Sequence, residues 1–271
     1  MSDSGTEVVF AVTNPDVPVG RSSELKPSPV KAVAAEAGIP VFTPEKVRGN
    51  AEFLESVKTF SADYFVVAAY GKILPTEVLE APAKLCVNVH GSVLPRYRGA
   101  SPVQSVLLEG EKETGVTIMA MSEGMDEGDA LAVLPIAIDR RDTSATLFAK
   151  FSEVSGKFLI ETLRGHFSGK VVPVPQDHSL ATYCKKISKE DARADWSLPA
   201  EALFNRFRGY SPWPGLHAYF RDKKLSIEAC EVLPENECPP LPAGTVFTTS
   251  DSVPVVRTSD GGLILEVVKL E

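Results

Sequence analysis

The chain has 271 residues, 44% hydrophobic and 24% charged, an ordinary globular composition with length for one large or two modest domains. No apolar run reaches the length of a membrane-spanning helix, and the polar start from Met1 to Glu7 lacks the basic and apolar regions of a secretory signal. A net charge of −8 argues against nucleic acid as a partner, because phosphate is held by lysine and arginine, but it leaves room for a local basic face.

Glu7 to Thr13 reads as a buried strand, broken by Asn14-Pro15-Asp16. A polar loop with Gly20, Arg21 and Ser22 follows. Ser28 and Pro29 suit the N-cap and first position of a helix reaching about Ala37. Val41-Phe42 is a short strand. Phe53, Leu54, Val57 and Phe60 have helical spacing, and Asp63 to Tyr70 is a second buried strand closed by Gly71. Strands alternating with helices imply a parallel sheet with crossovers.

Leu85 to His90 is the next strand. After it, Ser101-Pro102 again looks like an N-cap and first helical residue, with Val103, Val106 and Leu107 as the buried stripe. Thr114 to Met121 and Ala130 to Ile138 are strand-like and flank the loop Ser122 to Asp129. A helix starts near Ser144, capped by Asp142 or Thr143. Val171 to Pro175 contains two prolines, and Lys185 to Asp195 is polar and charged, as a linker would be. One helix (Ala200 to Arg208) and short strands at Leu216 to Phe220, Leu225 to Ala229, Val253 to Thr258 and Leu263 to Leu270 then suggest a small barrel.

Asn88-Val89-His90 carries the densest chemical signal. Side chains alternate along a strand, so Leu85, Val87 and Val89 share one face while Cys86, Asn88 and His90 share the other. Gly91 ends the strand and leaves Asn88 and His90 at its carboxyl end, the edge where open α/β sheets bind ligands. Two polar side chains about 6–7 Å apart along a strand can converge on one substrate atom. A carboxylate from the loop, Asp126 or Asp129, could orient or charge the imidazole; spacing alone does not choose between them. An amide, an imidazole and a carboxylate suit a reaction that develops an oxyanion with proton transfer at the same centre.

Taken singly, Asn88 could pair with backbone and His90 could be an ordinary satisfied histidine. The stiff, basic continuation Ser92 to Gly99 favours function. Cys86 shares the face of His90, but four residues of strand separate their backbones by about 13 Å, so a thiol nucleophile is not expected. Cys86, Cys184, Cys230 and Cys238 form no C-x-x-C pair and have no histidine at metal-ligand spacing, as in a reduced cytosolic protein. His166, His178 and His217 read as structural or solvated, and Lys185, Lys186 and Lys189 as a solvated linker face.

At Ser92-Val93-Leu94-Pro95-Arg96-Tyr97-Arg98-Gly99, with Asn88-Val89-His90 and Met125-Asp126-Glu127-Gly128-Asp129, the chain resembles the 10-formyltetrahydrofolate-dependent formyltransferase family. The similarity runs from about Glu7 to the C-terminus. It implies a Rossmann-like α/β domain with a parallel sheet, residues 1–175, a linker over 176–190, and an OB-like tRNA-binding barrel over 191–271. The same resemblance makes Asn88, His90 and Asp126 the catalytic trio, preferring Asp126 to Asp129, and places folate near Tyr70, Gly71 and Ser92, Val93, Leu94 and Pro95.

Two further segments resemble the branch that acts on tRNA. One is the loop from Asn14 to Arg21 with Pro27 to Lys31, in which Arg21 would touch tRNA. The other is Asp191 to Trp196 together with Pro212-Trp213-Pro214-Gly215. That branch moves a formyl group from 10-formyltetrahydrofolate to the amine of initiator methionyl-tRNA, without a metal, and the resemblance implies a monomer in the bacterial cytoplasm or an organellar matrix or stroma. Where the branch usually carries lysines after the arginine, this chain has Ser22, Ser23 and Glu24, so a weaker grip on phosphate is expected. The family also begins with a strand, a Gly-containing turn and a helix ahead of the segment that starts at Val8. The alternatives are a nucleotide-sugar amine as acceptor, a module that hydrolyses or oxidises formyltetrahydrofolate, and a non-catalytic tRNA-binding relative.

Overall fold

The computed structural model describes residues 5–18 and 25–270. The first apolar run is strand only at β1 (Ala11–Val12), and the polar loop beyond it contains two short strands, β2 (Val17–Pro18) and β3 (Leu25–Lys26), paired antiparallel. Helix α1 (Pro29–Glu36) begins as its sequence dictates: the Ser28 side chain accepts a hydrogen bond from the Lys31 amide, and Pro29 occupies a position that needs no donor. β4 (Val41–Phe42), α2 (Ala51–Lys58), β5 (Tyr64–Val67), α3 (Thr76–Leu79) and β6 (Leu85–His90) follow. The four-residue helix α3 has no periodic signature in the sequence.

The chain continues through β7 (Arg98–Gly99), α4 (Pro102–Leu108), β8 (Glu113–Ala120), β9 (Ala130–Ala137), α5 (Ser144–Phe167) and β10 (Tyr183–Cys184). Ser101 precedes α4 as expected, but its side chain makes no capping bond. At α5 the cap is Thr143, whose hydroxyl accepts from the Thr146 amide while its own amide donates to the Thr146 hydroxyl. The last elements are α6 (Ala200–Tyr210), β11 (His217–Phe220), β12 (Lys223–Leu233), β13 (Val246–Thr248), β14 (Pro254–Arg257) and β15 (Gly262–Leu270).

Two compact units are formed. The first comprises Met1–His90, Thr117–Val133 and Gly156–Gln176; the second comprises Gly91–Val116, Leu134–Ser155 and Asp177–Glu271. In the first, β1 runs parallel to β4 and β5 runs parallel to β6, as alternating strands and helices predict. β1 and β4 make a two-stranded sheet of their own, and the sheet that holds β5, β6 and β8 is mixed, which corrects the wholly parallel expectation. The chain leaves β6 at His90 and re-enters the sheet opposite it at Thr117, so β8 runs back antiparallel toward Val87. Val47, Phe53, Val57 and Val78 form this unit's core, with the Phe10 ring standing edge-on to Phe42 and Phe65.

In the second unit, β11, β12, β15, β14 and β13 form a five-stranded antiparallel sheet in that order. Among the described residues no sheet is closed into a barrel. Leu203 and Phe204 of α6 pack on Leu216, Ile227, Cys230, Val256, Leu263 and Leu265. Each such fully buried side chain contributes roughly 1.5–3 kcal/mol relative to exposure. Among the described residues, no helix is long and apolar enough to cross a membrane.

Candidate active site

The register of β6 explains the site. Asn88 lies opposite Val67 of β5 on one side and Met119 of β8 on the other, and His90 lies opposite Thr117, without a bulge. Alternation is therefore unbroken, and Asn88 and His90 stand on the same face at the carboxyl end of the strand. Val87 is fully buried, His90 is 5% exposed, and Asn88 is half-buried. A strand this well enclosed fixes the direction of the imidazole.

The carboxylate comes from the connection between β8 and β9. Its backbone turns sharply: Asp126 adopts φ +52°, a left-handed conformation that aspartate tolerates better than most residues. Close packing holds the turn, because a Cβ on Gly128 would lie 2.0 Å from the Ala120 carbonyl oxygen. The Ala120 amide donates to the Asp129 carbonyl at 2.8 Å, and the Thr76 hydroxyl donates to Glu123 Oε1 at 2.5 Å. So constrained, Asp126 Oδ2 lies 3.7 Å from His90 Nδ1. Asp126 is thus the aspartate facing the imidazole, while Asp129 serves the turn through its backbone carbonyl.

Cys86 shares this face, yet it is 3% exposed, its sulfur lies 3.7 Å from Met121 Sδ, and burial pushes its thiol up to about 12. A thiol held protonated at neutral pH is no nucleophile. What remains is an amide, a buried imidazole and a carboxylate: donors for a developing oxyanion and a base or acid beside it.

Tyr70 and Gly71 follow β5 in the first unit. Gly71 takes φ +74°, the Tyr70 carbonyl accepts from Asn14 Nδ2 at 3.2 Å, and burial raises the Tyr70 phenol. In the second unit Ser92 is fully buried and donates to the Arg96 carbonyl at 2.7 Å; Leu94 is buried, while Val93 is 37% exposed. Gly91 permits the close approach of Val103, whose Cγ2 would stand 2.9 Å from an added Cβ. The loop is basic in sequence, and both arginines have partners from outside it: Arg96 pairs with Glu111, and Arg98 is buried with its guanidinium 3.3 Å from His178 Nδ1. Arg21 lies outside the described residues.

Sequence reasoning missed Gln176, a buried residue in the stretch read as linker, whose amide nitrogen bonds the carbonyls of Asp126 and Gly128. Nothing in its spacing announces that contact.

Residues 1–163 match the family model described as formyl transferase, and residues 186–271 match that of the formyl transferase C-terminal domain. The chain belongs to the formyl transferase family. Its relatives include the methionyl-tRNA formyltransferase of Caldicellulosiruptor saccharolyticus, 40% identical over 264 residues, which are 97% of this chain and 84% of that protein. In fold it is similar to the methionyl-tRNA formyltransferase of Clostridium thermocellum, with a TM-score of 0.60 at 17% identity, covering 89% of this chain and 92% of that one. It is similar too to an N-formyltransferase from Helicobacter canadensis solved with folinic acid and dTDP-3-aminofucose, with a TM-score of 0.67 at 15% identity, covering 96% and 99%.

Proposed function

We propose that the chain transfers the formyl group of 10-formyltetrahydrofolate to the free α-amine of initiator methionyl-tRNA, giving the formylated aminoacyl-tRNA that begins translation. The observation that carries this reading is the His90–Asp126 pair at the end of β6, beside Asn88, in a chain 40% identical to a methionyl-tRNA formyltransferase over 97% of its length. Both folate and tRNA are substrates here.

In the proposed reaction the amine nitrogen attacks the formyl carbon, and the carbonyl oxygen takes negative charge. Asn88 and His90 donate to that oxygen, and Asp126 holds the ring and assists proton transfer. The bond from the formyl carbon to N10 of the folate then breaks, and the proton lost by the amine ends on N10. We assign Tyr70, Gly71 and Ser92 to Pro95 to folate, and Arg21 to tRNA. We further assign residues 1–175 to a catalytic domain, 176–190 to a linker and 191–271 to an OB-like tRNA-binding domain acting in a monomer. The two family matches and the five-stranded antiparallel sheet support that division.

The test is incubation of the full chain with labelled 10-formyltetrahydrofolate and, in parallel, methionyl-tRNA, a nucleotide-sugar amine or no acceptor. Label transferred to the aminoacyl group supports the proposal. Label passed only to a nucleotide-sugar amine, formate released without an acceptor, or tRNA bound without formylation would each replace it with the corresponding alternative.

A further inference from the structure

The turn that carries Asp126 is bound to a segment distant in sequence. After α5 the chain passes Val171 to Pro175 and reaches Gln176, the last residue of the first unit. Its side chain is 8% exposed, and Nε2 lies 3.0 Å from the Asp126 carbonyl oxygen and 2.6 Å from that of Gly128. A primary amide has two N–H donors, one for each carbonyl. Two residues earlier, Val174 and Ala130 exchange a pair of backbone hydrogen bonds, each 2.9 Å, where β9 begins.

From this geometry we infer that Gln176 is a positioning residue for the reaction, clamping the turn so that the Asp126 carboxylate faces His90. The inference rests on the proposed role of Asp126. The physical case is that Asp126 sits in a left-handed conformation, which costs aspartate less than most residues but more than glycine. Its carbonyl, and that of Gly128, are directed at a buried donor. Losing that donor removes one hydrogen bond from each of the two carbonyls and lets the turn relax toward ordinary φ. A displacement of about 1 Å in a catalytic group costs on the order of 100-fold in rate. Gln176 never needs to touch substrate.

Single-turnover formyl transfer should be measured for Gln176→Ala and Gln176→Glu, each alone and in an Asp126→Ala background. Gln176→Ala is expected to lower the transfer rate about 10–100-fold while leaving KM for folate and for tRNA within about 3-fold. Gln176→Glu should lose at least as much, since its carboxylate confronts two carbonyl oxygens. It should regain rate relative to the parent as pH falls and the carboxyl becomes a donor. In the Asp126→Ala background the Gln176 change should cost under about 3-fold, because residues acting through one another are not additive. Equal losses in both backgrounds, or a Gln176→Ala rate close to the parent's, overturn the inference.

If Asp126→Ala itself turns over normally, the reading of the site fails instead. Amide hydrogen exchange then decides the clamp separately. Faster exchange at Ala120 and Ala130 in Gln176→Ala, with the rest of the chain unchanged, upholds it, and unchanged exchange there rejects it.

Discussion

Nδ1 of His90 and Oδ2 of Asp126 stand 3.7 Å apart, the ring enclosed at a strand end and the acid carried by a glycine-flanked turn. That separation exceeds a hydrogen bond but keeps the pair within electrostatic reach. Catalytic contacts of this kind commonly tighten when substrate binds. If Asp126 orients the imidazole and His90 supports the oxyanion, His90→Ala should abolish formyl transfer while thermal unfolding stays cooperative. A variant that retains near-normal turnover would remove His90 from the mechanism.

Asn88 is assigned a donor's role toward the same oxygen. Asn88→Ala should lower kcat by about 100–1000-fold, the usual effect of deleting one oxyanion donor, with modest change in KM. A loss expressed only in KM would make Asn88 a binding residue.

The turn leaves no space at Gly128. Gly128→Ala forces a methyl group to within 2.0 Å of the Ala120 carbonyl oxygen unless the backbone moves. Overpacking of this sort costs roughly 1–3 kcal/mol, and we expect a fall in kcat of more than about 10-fold as Asp126 is carried away from His90. Urea unfolding and steady-state kinetics on the same sample measure both effects.

Cys86 offers the opposite expectation. Its buried thiol, raised to about 12, should resist alkylation in the native state at pH 8 and react only on unfolding. Cys86→Ala should cost about 1 kcal/mol of stability from the space it vacates and leave formyl transfer intact. Rapid native-state labelling with loss of activity would restore the nucleophile reading.

Arg21 is assigned to tRNA alone. Arg21→Ala should therefore impair use of methionyl-tRNA far more than binding of folate, with the deficit growing as salt is lowered relative to the parent, because a phosphate contact strengthens at low ionic strength. Equal losses toward both substrates would count against that assignment.

Acid stability should report Asp191, whose carboxylate accepts from the Ser188 amide and hydroxyl and pairs with Lys185. These bonds hold its pKa at about 2. A folded pKa depressed below the unfolded one gives stability that is full above about pH 4 and lost as pH falls toward 2. The stability gap between the parent and Asp191→Ala should shrink over that window in urea unfolding at stepped pH.

Much of this protein was legible before folding because the relevant physics is local. Ser28-Pro29 marks a helix start through one side-chain bond and one missing donor, and alternation along Leu85 to His90 puts Asn88 and His90 on one face whatever surrounds them. What local rules could not reach depends on distant contacts. The antiparallel course of β8 was set by where the chain re-enters the sheet, opposite His90, and no residue pattern encodes that. The approach of Asp126 rather than Asp129 to the imidazole was set by a left-handed turn packed against Ala120. The role of Gln176 came from a hydrogen-bonding reach across 50 residues of sequence, since a side-chain amide carries no periodic signal of the carbonyl it will meet.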